Sequence, residues 1–572
     1  MRIIGERMFG WTGRTVIIDL SDNSVTEQKT EKADVKPFLG GRGIGAKWIS
    51  ELVEPTADPL SPENILVFST GPVTGSSMPM SGHFCISTKS PLTGTIFDSN
   101  VGGSFGTELK LAGFDSLIIK GKAQEPVIIQ IYDEEVEILS ADYLWRKNIE
   151  ESTDLLEKKG KVLCIGRAGE KMVPMASMAN DRIYSSGRGG AGAVAGSKNL
   201  KGLVVKGTNK IEIADTQKLE KSIDKVERLI VANPPASKGL AKYGNTMFAD
   251  LLGHMGIIPG NNFKDPNFIG LGNISADSIK QNNEINKTPC KACNIGCMQA
   301  FADGRVVPDY ETIWAFGPNI GNRDLEMIIN LNEICKEYGM DPISCSSAIT
   351  GYMELKSLNI EDIDVRKILK EIGEGESELS HGSRSYLCSK QAESISMDVK
   401  GLSIPGYDPR AMMGMALSYA TANRGACHMN AFMLAPELIG KPVHLDRDTF
   451  AGKAALVKHF QDLIAVMDSF VLCPFAAFAL GEVELASILN AITGMDYSAE
   501  EILRCGERIY DIERSFNIKA GFSKSDDMLP ERFFAQDGID KDEFMRSLKD
   551  YYRFREWDDQ GRPNENLENL ML

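Results

Sequence analysis

Apolar and polar residues alternate along the first 205 or so positions, which predicts a strand-rich domain. Thr15-Val-Ile-Ile-Asp-Leu20, a turn at Ser21-Asp22-Asn23-Ser24 and Val25-Thr-Glu-Gln read as a hairpin. Asp115-Ser-Leu-Ile-Ile-Lys-Gly, Pro126-Val-Ile-Ile-Gln-Ile-Tyr and Val136-Glu-Ile-Leu read as further strands. Lys161-Val-Leu-Cys-Ile-Gly and Gly202-Leu-Val-Val-Lys-Gly read as short buried ones. From Asp215 onward the apolar spacing becomes helical, first in Gln217–Ile230. It recurs in the runs beginning at Leu325, Lys367, Ala455 and Glu501. A Gly/Pro-rich break from Lys400 to Arg410 divides the helical part, and no internal repeat is visible. The organisation expected is a β-rich domain over 1–208, a helical domain over 209–400 and a second helical domain over 401–572.

A chain of 572 residues has room for two to four sizeable cores, and 42% apolar with 25% charged residues is an ordinary globular composition. A net charge of −16 argues against nucleic acid, which needs a basic face. The run Met1-Arg-Ile-Ile-Gly-Glu has no signal-peptide core. The longest apolar stretches, such as Val471–Leu480, are too short to span a bilayer. Cys85, Cys164, Cys345, Cys388 and Cys505 sit singly in apolar segments and read as small core residues, consistent with a reducing, cytoplasmic location.

Three other cysteines change the picture. Cys290, Cys293 and Cys297 follow C-x2-C-x3-C, and Cys473, followed by Pro474, lies far downstream. Three clustered thiolates and one remote one suit a [4Fe-4S] cluster, whereas a zinc ribbon needs a second close pair. On spacing alone Cys427 competes with Cys473 for the fourth position. Two glycine-rich runs, Gly40–Lys47 and Gly187–Asn199, offer backbone N–H groups beside Arg42, Lys47 and Arg188, a pattern suited to phosphate. Neither is a Walker A or a Rossmann fingerprint. Glu311, Tyr407 and His428 are polar candidates for proton transfer, although spacing does not show that they converge.

These pieces, in this order, resemble the tungsten-containing aldehyde ferredoxin oxidoreductase family nearly end to end. The likeness rests on Gly40–Lys47, Thr88–Gly94, the Asn100 loop, Gly106–Asp115, Gly187–Lys201, the cysteine motif, Tyr310-Glu311-Thr312, Tyr407-Asp-Pro-Arg and Arg424-Gly-Ala-Cys-His428. The resemblance implies an α+β fold: an N-terminal domain of two β-sheets with pseudo-twofold symmetry, followed by two mostly α-helical domains. It implies tungsten or molybdenum held by two pterins, a [4Fe-4S] cluster on Cys290, Cys293, Cys297 and Cys473, and Mg2+ bridging the pterin phosphates. The Mg2+ would be reached by the carbonyls of Asn100 and Gly189, with Arg188 beside them. The pterin rings would lie on segments beginning at Asp341 and Asp468. The implied cofactor-binding set is Arg42, Gly43, Gly45, Lys47, His83, Asn100, Gly102, Arg188, Gly189, Asp341, Cys345, Asp468 and Leu472. The implied reaction converts aldehyde and water to carboxylic acid. Glu311 would be the base, His428 a donor to the developing oxyanion, and Tyr407 the group that orients the carbonyl. Electrons would pass to ferredoxin or a small ferredoxin-like subunit, in a homo- or hetero-oligomer.

The chain departs from the family pattern in three places. His83 stands where relatives often carry an Arg linking cluster and pterin. Ser344 and Val471 stand where the pterin segments favour Gly. No Glu-x-x-His for an interfacial metal is found, since Glu333 is followed by Lys336. Two alternatives remain: a reductive aromatic acyl-CoA subunit of the benzoyl-CoA reductase kind, and a non-catalytic iron–sulfur electron carrier.

Overall fold

A computed structural model describes residues 8–535 and 537–564; the run Met1–Glu6 lies outside them. The expected hairpin forms from β1 (Arg14–Asp19) and β2 (Ser24–Lys29), with Arg14 opposite Lys29. The first sheet adds β3 (Leu66–Ser69), β4 (Phe84–Lys89), β5 (Ile96–Val101) and β6 (Ser116–Lys120), in the order β2-β1-β6-β3-β4-β5. The second sheet contains β7 (Val127–Tyr132), β8 (Glu135–Ser140), β9 (Lys161–Ile165), β10 (Met178–Asn180), β11 (Tyr184–Ser185) and β12 (Leu200–Lys206). Read from its other edge, its order is β8-β7-β12-β9-β10-β11, so each strand corresponds to the one six earlier. Directions repeat as well: β1 is parallel to β6 and β7 to β12, while the other pairs are antiparallel. The repetition lies in topology and had no visible counterpart in the sequence.

Period-two alternation explains how the sheets stack. Val16 and Ile18, Leu117 and Ile119, Ile129 and Ile131, and Leu203 and Val205 join one core between the sheets. Their neighbours face the other way. Ile118 and Val67 join the core shared with helices, whereas Ile128 and Val204 join a small outer core. The five helical runs form as Thr216–Val231, Leu325–Tyr338, Val365–Gly373, Lys453–Phe470 and Ala499–Lys519. One helical core is built largely from residues between 274 and 395, the other mainly from 219–268 and 397–557. At the expected Gly/Pro break stands a minimal hairpin, Asp398–Val399 with Leu402–Ser403. Cys85, Cys164, Cys345 and Cys505 are buried, but Cys388 is exposed. It sits near the end of the short helix Ser383–Ser389, whose buried residues are Ser383, Tyr386 and Leu387, leaving Cys388 off the packed face.

Candidate active site between sheets and helices

Glu311 is placed by a short helix, Tyr310–Phe316. Asp309 caps it by accepting the Thr312 N–H at 2.8 Å, which holds Glu311 in the first turn. There the Glu311 carboxylate collects three partners. Tyr407 donates its hydroxyl to Oε1 at 2.6 Å, Asn245 donates Nδ2 to Oε2 at 2.6 Å, and His428 Nε2 lies 3.3 Å from Oε1. The Tyr407 and His428 rings are 5.0 Å apart. Burial pushes the Glu311 carboxyl up, but His428 and Tyr407 outweigh it and leave it below the ordinary Glu range. Burial, and then the Glu311 charge, raise neighbouring Asp309 to about 6. Burial also pushes the Tyr407 phenol well above its usual range, so it stays a donor. His428 Nδ1 is buried without a hydrogen-bond partner among the described residues.

Glu311, Tyr407 and His428 open onto a cavity of about 410 Å³, together with Asn100, Gly102, Arg188 and Asp341. Arg188 gives its terminal nitrogens to the carbonyls of Ala426 and Ser403, and its buried Nε has no hydrogen bond. That Nε is 3.7 Å from Asp341 Oδ2. Behind Asn100 lies a tight charge cluster. Asn100 Nδ2 donates to Asp468 Oδ1 at 3.2 Å and to the Leu472 carbonyl at 3.0 Å. Its Oδ1 must therefore accept from His83 Nδ1 at 2.8 Å. Neutral His83 accordingly carries its hydrogen on Nδ1, and burial lowers its pKa and favours that neutral form. Arg42 pairs with Glu513 at 2.7 Å, Asp468 at 3.4 Å and Asp98 at 3.6 Å, and Arg424 pairs with Asp98 at 2.7 Å. Burial and the Asp98 charge raise Asp468 to about 6 against the pull of Arg42 and Arg424.

The cysteines meet at the edge of this region. Met80 donates its N–H to the Ala292 carbonyl at 2.8 Å and accepts the Cys473 N–H at 3.0 Å, which ties the two cysteine segments together. A β-carbon on Gly102 would lie 2.9 Å from Cys290 Sγ and 3.3 Å from His83 Nε2, so a larger residue would not fit there. Burial pushes all four thiols up, Cys297 to about 12. Cys297, Cys293 and Cys290 are the next causes at Cys473, so it lies near them, whereas Cys427 packs with Phe97 and Leu402. Among the described residues no three His, Cys, Asp or Glu side chains converge as a single-ion site.

Other expected site residues have different surroundings. The run Gly41–Leu52 is a helix rather than a phosphate loop. Gly43 donates its N–H to Ser469 Oγ at 3.1 Å, and a β-carbon at Gly45 would collide with Ser87. Both glycines therefore serve close packing. Lys47 pairs with Glu51 at 2.7 Å and Asp34 at 3.6 Å, away from the cavity lining. A β-carbon at Gly189 would strike the Phe97 ring. Cys345 is fully buried, its sulfur 4.0 Å from Met340 Sδ, and is absent from the cavity lining. Sequence reasoning missed Asn245, the second ligand of Glu311, which follows a left-handed Gly244 in an otherwise helical stretch. It also missed Asp309, visible only as an N-cap.

Comparison with known proteins bears on this arrangement. Residues 15–207 match the family model described as aldehyde ferredoxin oxidoreductase, N-terminal domain. Residues 221–572 match the model for domains 2 and 3 of the same family. The chain belongs to the aldehyde ferredoxin oxidoreductase family. Its similarity to the tungsten-containing aldehyde ferredoxin oxidoreductase of Pyrococcus furiosus is 38% identity, covering 98% of this chain and 99% of that protein. The Pyrococcus horikoshii protein of the same name is 39% identical, covering 99% of both. A more distant relative, 26% identical over 98% of this chain and 96% of its own, is an aliphatic sulfonate oxidoreductase WOR-like subunit of P. furiosus. Among solved structures the chain is similar to the active-site complex BamBC of benzoyl coenzyme A reductase. The TM-score is 0.87 and identity 22%, covering 99% of this chain and 97% of that one. At that identity the likeness shows the shared fold. Membership of the aldehyde ferredoxin oxidoreductase family makes the chain an oxidoreductase and implies a tungsten–pterin cofactor. No helix among the described residues is long and apolar enough to cross a membrane.

Proposed function

We propose that the chain oxidises aldehydes to carboxylic acids with water, and that Glu311 is the base. The observation that carries this reading is one buried carboxylate held by Tyr407, Asn245 and His428 at the wall of the cavity. The residues present suit the cofactors. Arg188 lines the cavity, has a buried Nε without a hydrogen bond, and would receive a pterin phosphate. Asn100, Gly102 and Asp341 would line the pterin, and Mg2+ would sit against the Asn100 and Gly189 carbonyls. Four half-buried thiols, at Cys290, Cys293, Cys297 and Cys473, would be held by the iron of a [4Fe-4S] cluster. When bound, the tungsten–pterin group takes up two electrons and the cluster passes them on singly to a ferredoxin or ferredoxin-like carrier.

The protein side chains manage the proton. Ionised near neutrality, Glu311 takes a proton from water as it adds to the carbonyl carbon. Tyr407 commits its only hydrogen to Glu311, so it fixes the base rather than orienting the aldehyde. A hydrogen on His428 Nε2 likewise serves Glu311. Nδ1, buried and without a partner among the described residues, is then the nitrogen left to face a developing oxyanion. Glu311→Gln should lower kcat/KM for a small aldehyde, assayed with a viologen dye, by about 10²–10⁴ at unchanged tungsten and iron content. Full turnover in both Glu311→Gln and His428→Ala would sink the assignment. The acyl-CoA alternative rests on the fold alone, and benzoyl-CoA in the same assay discriminates it. The relatives are named oxidoreductases, which speaks against a non-catalytic carrier.

A further inference from the structure

A base that takes a proton at every turnover must lose it again before the next. Glu311 is enclosed: its partners Tyr407, Asn245 and His428 all belong to the cavity wall. Asp309 lines the same cavity two residues earlier in the chain. Its Oδ1 accepts the Thr312 N–H, which fixes the carboxyl beside the first turn of the Glu311 helix. Burial and the Glu311 charge raise Asp309 to about 6, whereas Glu311 lies below the ordinary Glu range. A proton on Glu311 therefore moves downhill to Asp309.

The way outward lies along the next helix. Leu325–Tyr338 packs against the Glu311 helix. Asn332 and Cys335 line the cavity, Glu333 and Glu337 line an outer groove of about 1510 Å³, and Lys336 lines both. Spacings of three and four residues put 332, 335 and 336 on one helix face and 333, 336 and 337 on the adjoining one. Lys336 Nζ lies 3.6 Å from Glu333 Oε1, an oxygen that is buried and makes no hydrogen bond among the described residues. Burial lowers the Lys336 pKa against the pull of Glu333 and Asp309, which makes its proton easier to give up.

From this we infer that Asp309, Lys336 and Glu333 form the proton exit of the active site, leading from Glu311 to the outer groove. The inference rests on the proposed oxidation, in which one aldehyde and one water give the acid, two electrons and two protons. The O–H bond on Glu311 breaks as one forms on Asp309, through water in the cavity. Lys336 passes an N–H proton to Glu333 and is reprotonated from Asp309. Glu333 then gives its proton to solvent in the groove. Each group ends the cycle in the charge state in which it began.

Asp309→Asn is the decisive variant, because asparagine caps a helix as well as aspartate does and leaves Glu311 in place. In holoenzyme oxidising a small aldehyde with methyl viologen, it should lower kcat about 10²-fold. Its kcat/KM should be nearly held, because proton release follows the chemical step. Imidazole added as a small proton carrier should restore much of the lost kcat in Asp309→Asn and none in Glu311→Gln. Lys336→Met should repeat the pattern more weakly. Unchanged kcat in both Asp309→Asn and Lys336→Met would overturn the exit, as would equal falls in kcat and kcat/KM without rescue. Infrared titration of the holoenzyme tests Asp309 irrespective of turnover. The protonated-carboxyl signal that grows as pH falls through about 6 should lose one carboxyl in Asp309→Asn, with Asp468 still contributing. A signal that Asp309→Asn leaves intact overturns the exit. Absence of aldehyde turnover in wild type, with that carboxyl present, would instead overturn the oxidation reading.

Discussion

Asp341 and Asp468 invite the same description in the sequence, yet they occupy opposite ends of their helices. Asp341 is the N-cap of Pro342–Lys356 and accepts N–H groups from Ile343 and Ser344. Asp468 lies near the end of Lys453–Phe470. A carboxylate is favoured at a helix N-terminus and disfavoured at a C-terminus. Asp341 is thus supported largely by its own helix, with Arg188 at 3.7 Å. Asp468 depends on cations brought from elsewhere: Arg42 from the first glycine run and Arg424 from the segment ending at His428. One carboxylate is held locally, and the other holds three distant parts of the chain together.

That contrast can be broken most severely at Arg42. Its side chain is fully buried among Glu513, Asp98 and Asp468. Arg42→Leu leaves those carboxylates without their shared cation, and urea unfolding should show a loss of about 3–5 kcal/mol. A cost below 1 kcal/mol would mean the cluster is not held as described. A smaller effect is expected at the local site. Asp341→Ala removes a cap worth about 1 kcal/mol, whereas Asp341→Asn, still a good cap, should restore most of it. Equal losses in the two variants would show that charge rather than capping matters there.

The mildest expected effect is a pH slope. Asp468 is raised to about 6, above the ordinary Asp value of about 3.9. Between these values the folded chain keeps a proton that the unfolded chain releases. The contribution of this group to stability therefore falls as pH rises from about 4 to about 6. Asp468→Asn should remove its share of that fall in the apoprotein, measured as the difference in unfolding free energy at pH 4.5 and 7. An unchanged slope would locate the titration elsewhere, at Asp309, raised to about 6, or Asp511, raised to about 7.

The elements with a strong period were readable from sequence, including the β1–β2 hairpin and helices such as Lys453–Phe470. The C-x2-C-x3-C motif was legible because its spacing is local, and the cluster it suggests belongs to the proposed function. Gly40–Lys47 opens a helix rather than a loop, since a glycine-rich run suits both a phosphate loop and a closely packed helix. Only Ser469 and Ser87, remote in sequence, decide between them. The resemblance implied the two pseudo-symmetric sheets, which the residues alone did not show, because a strand order can repeat without repeating side chains. The convergence of Glu311, Tyr407 and His428, implied by the resemblance, was not shown by spacing for a related reason. It depends on a cap at Asp309 and on Asn245, neither of which carries a distinctive signal.

Met80 has a consequence for how the thiols work as a set. Its backbone is left-handed, φ +63°, a conformation costing a non-glycine residue on the order of 1 kcal/mol. In that pose its N–H reaches one cysteine segment and its carbonyl the other. The two cysteine segments are thereby held side by side. Under the proposed cluster assignment, the last sulfur would meet an incoming guest at an effective concentration set by one residue's geometry, without a search by a long loop.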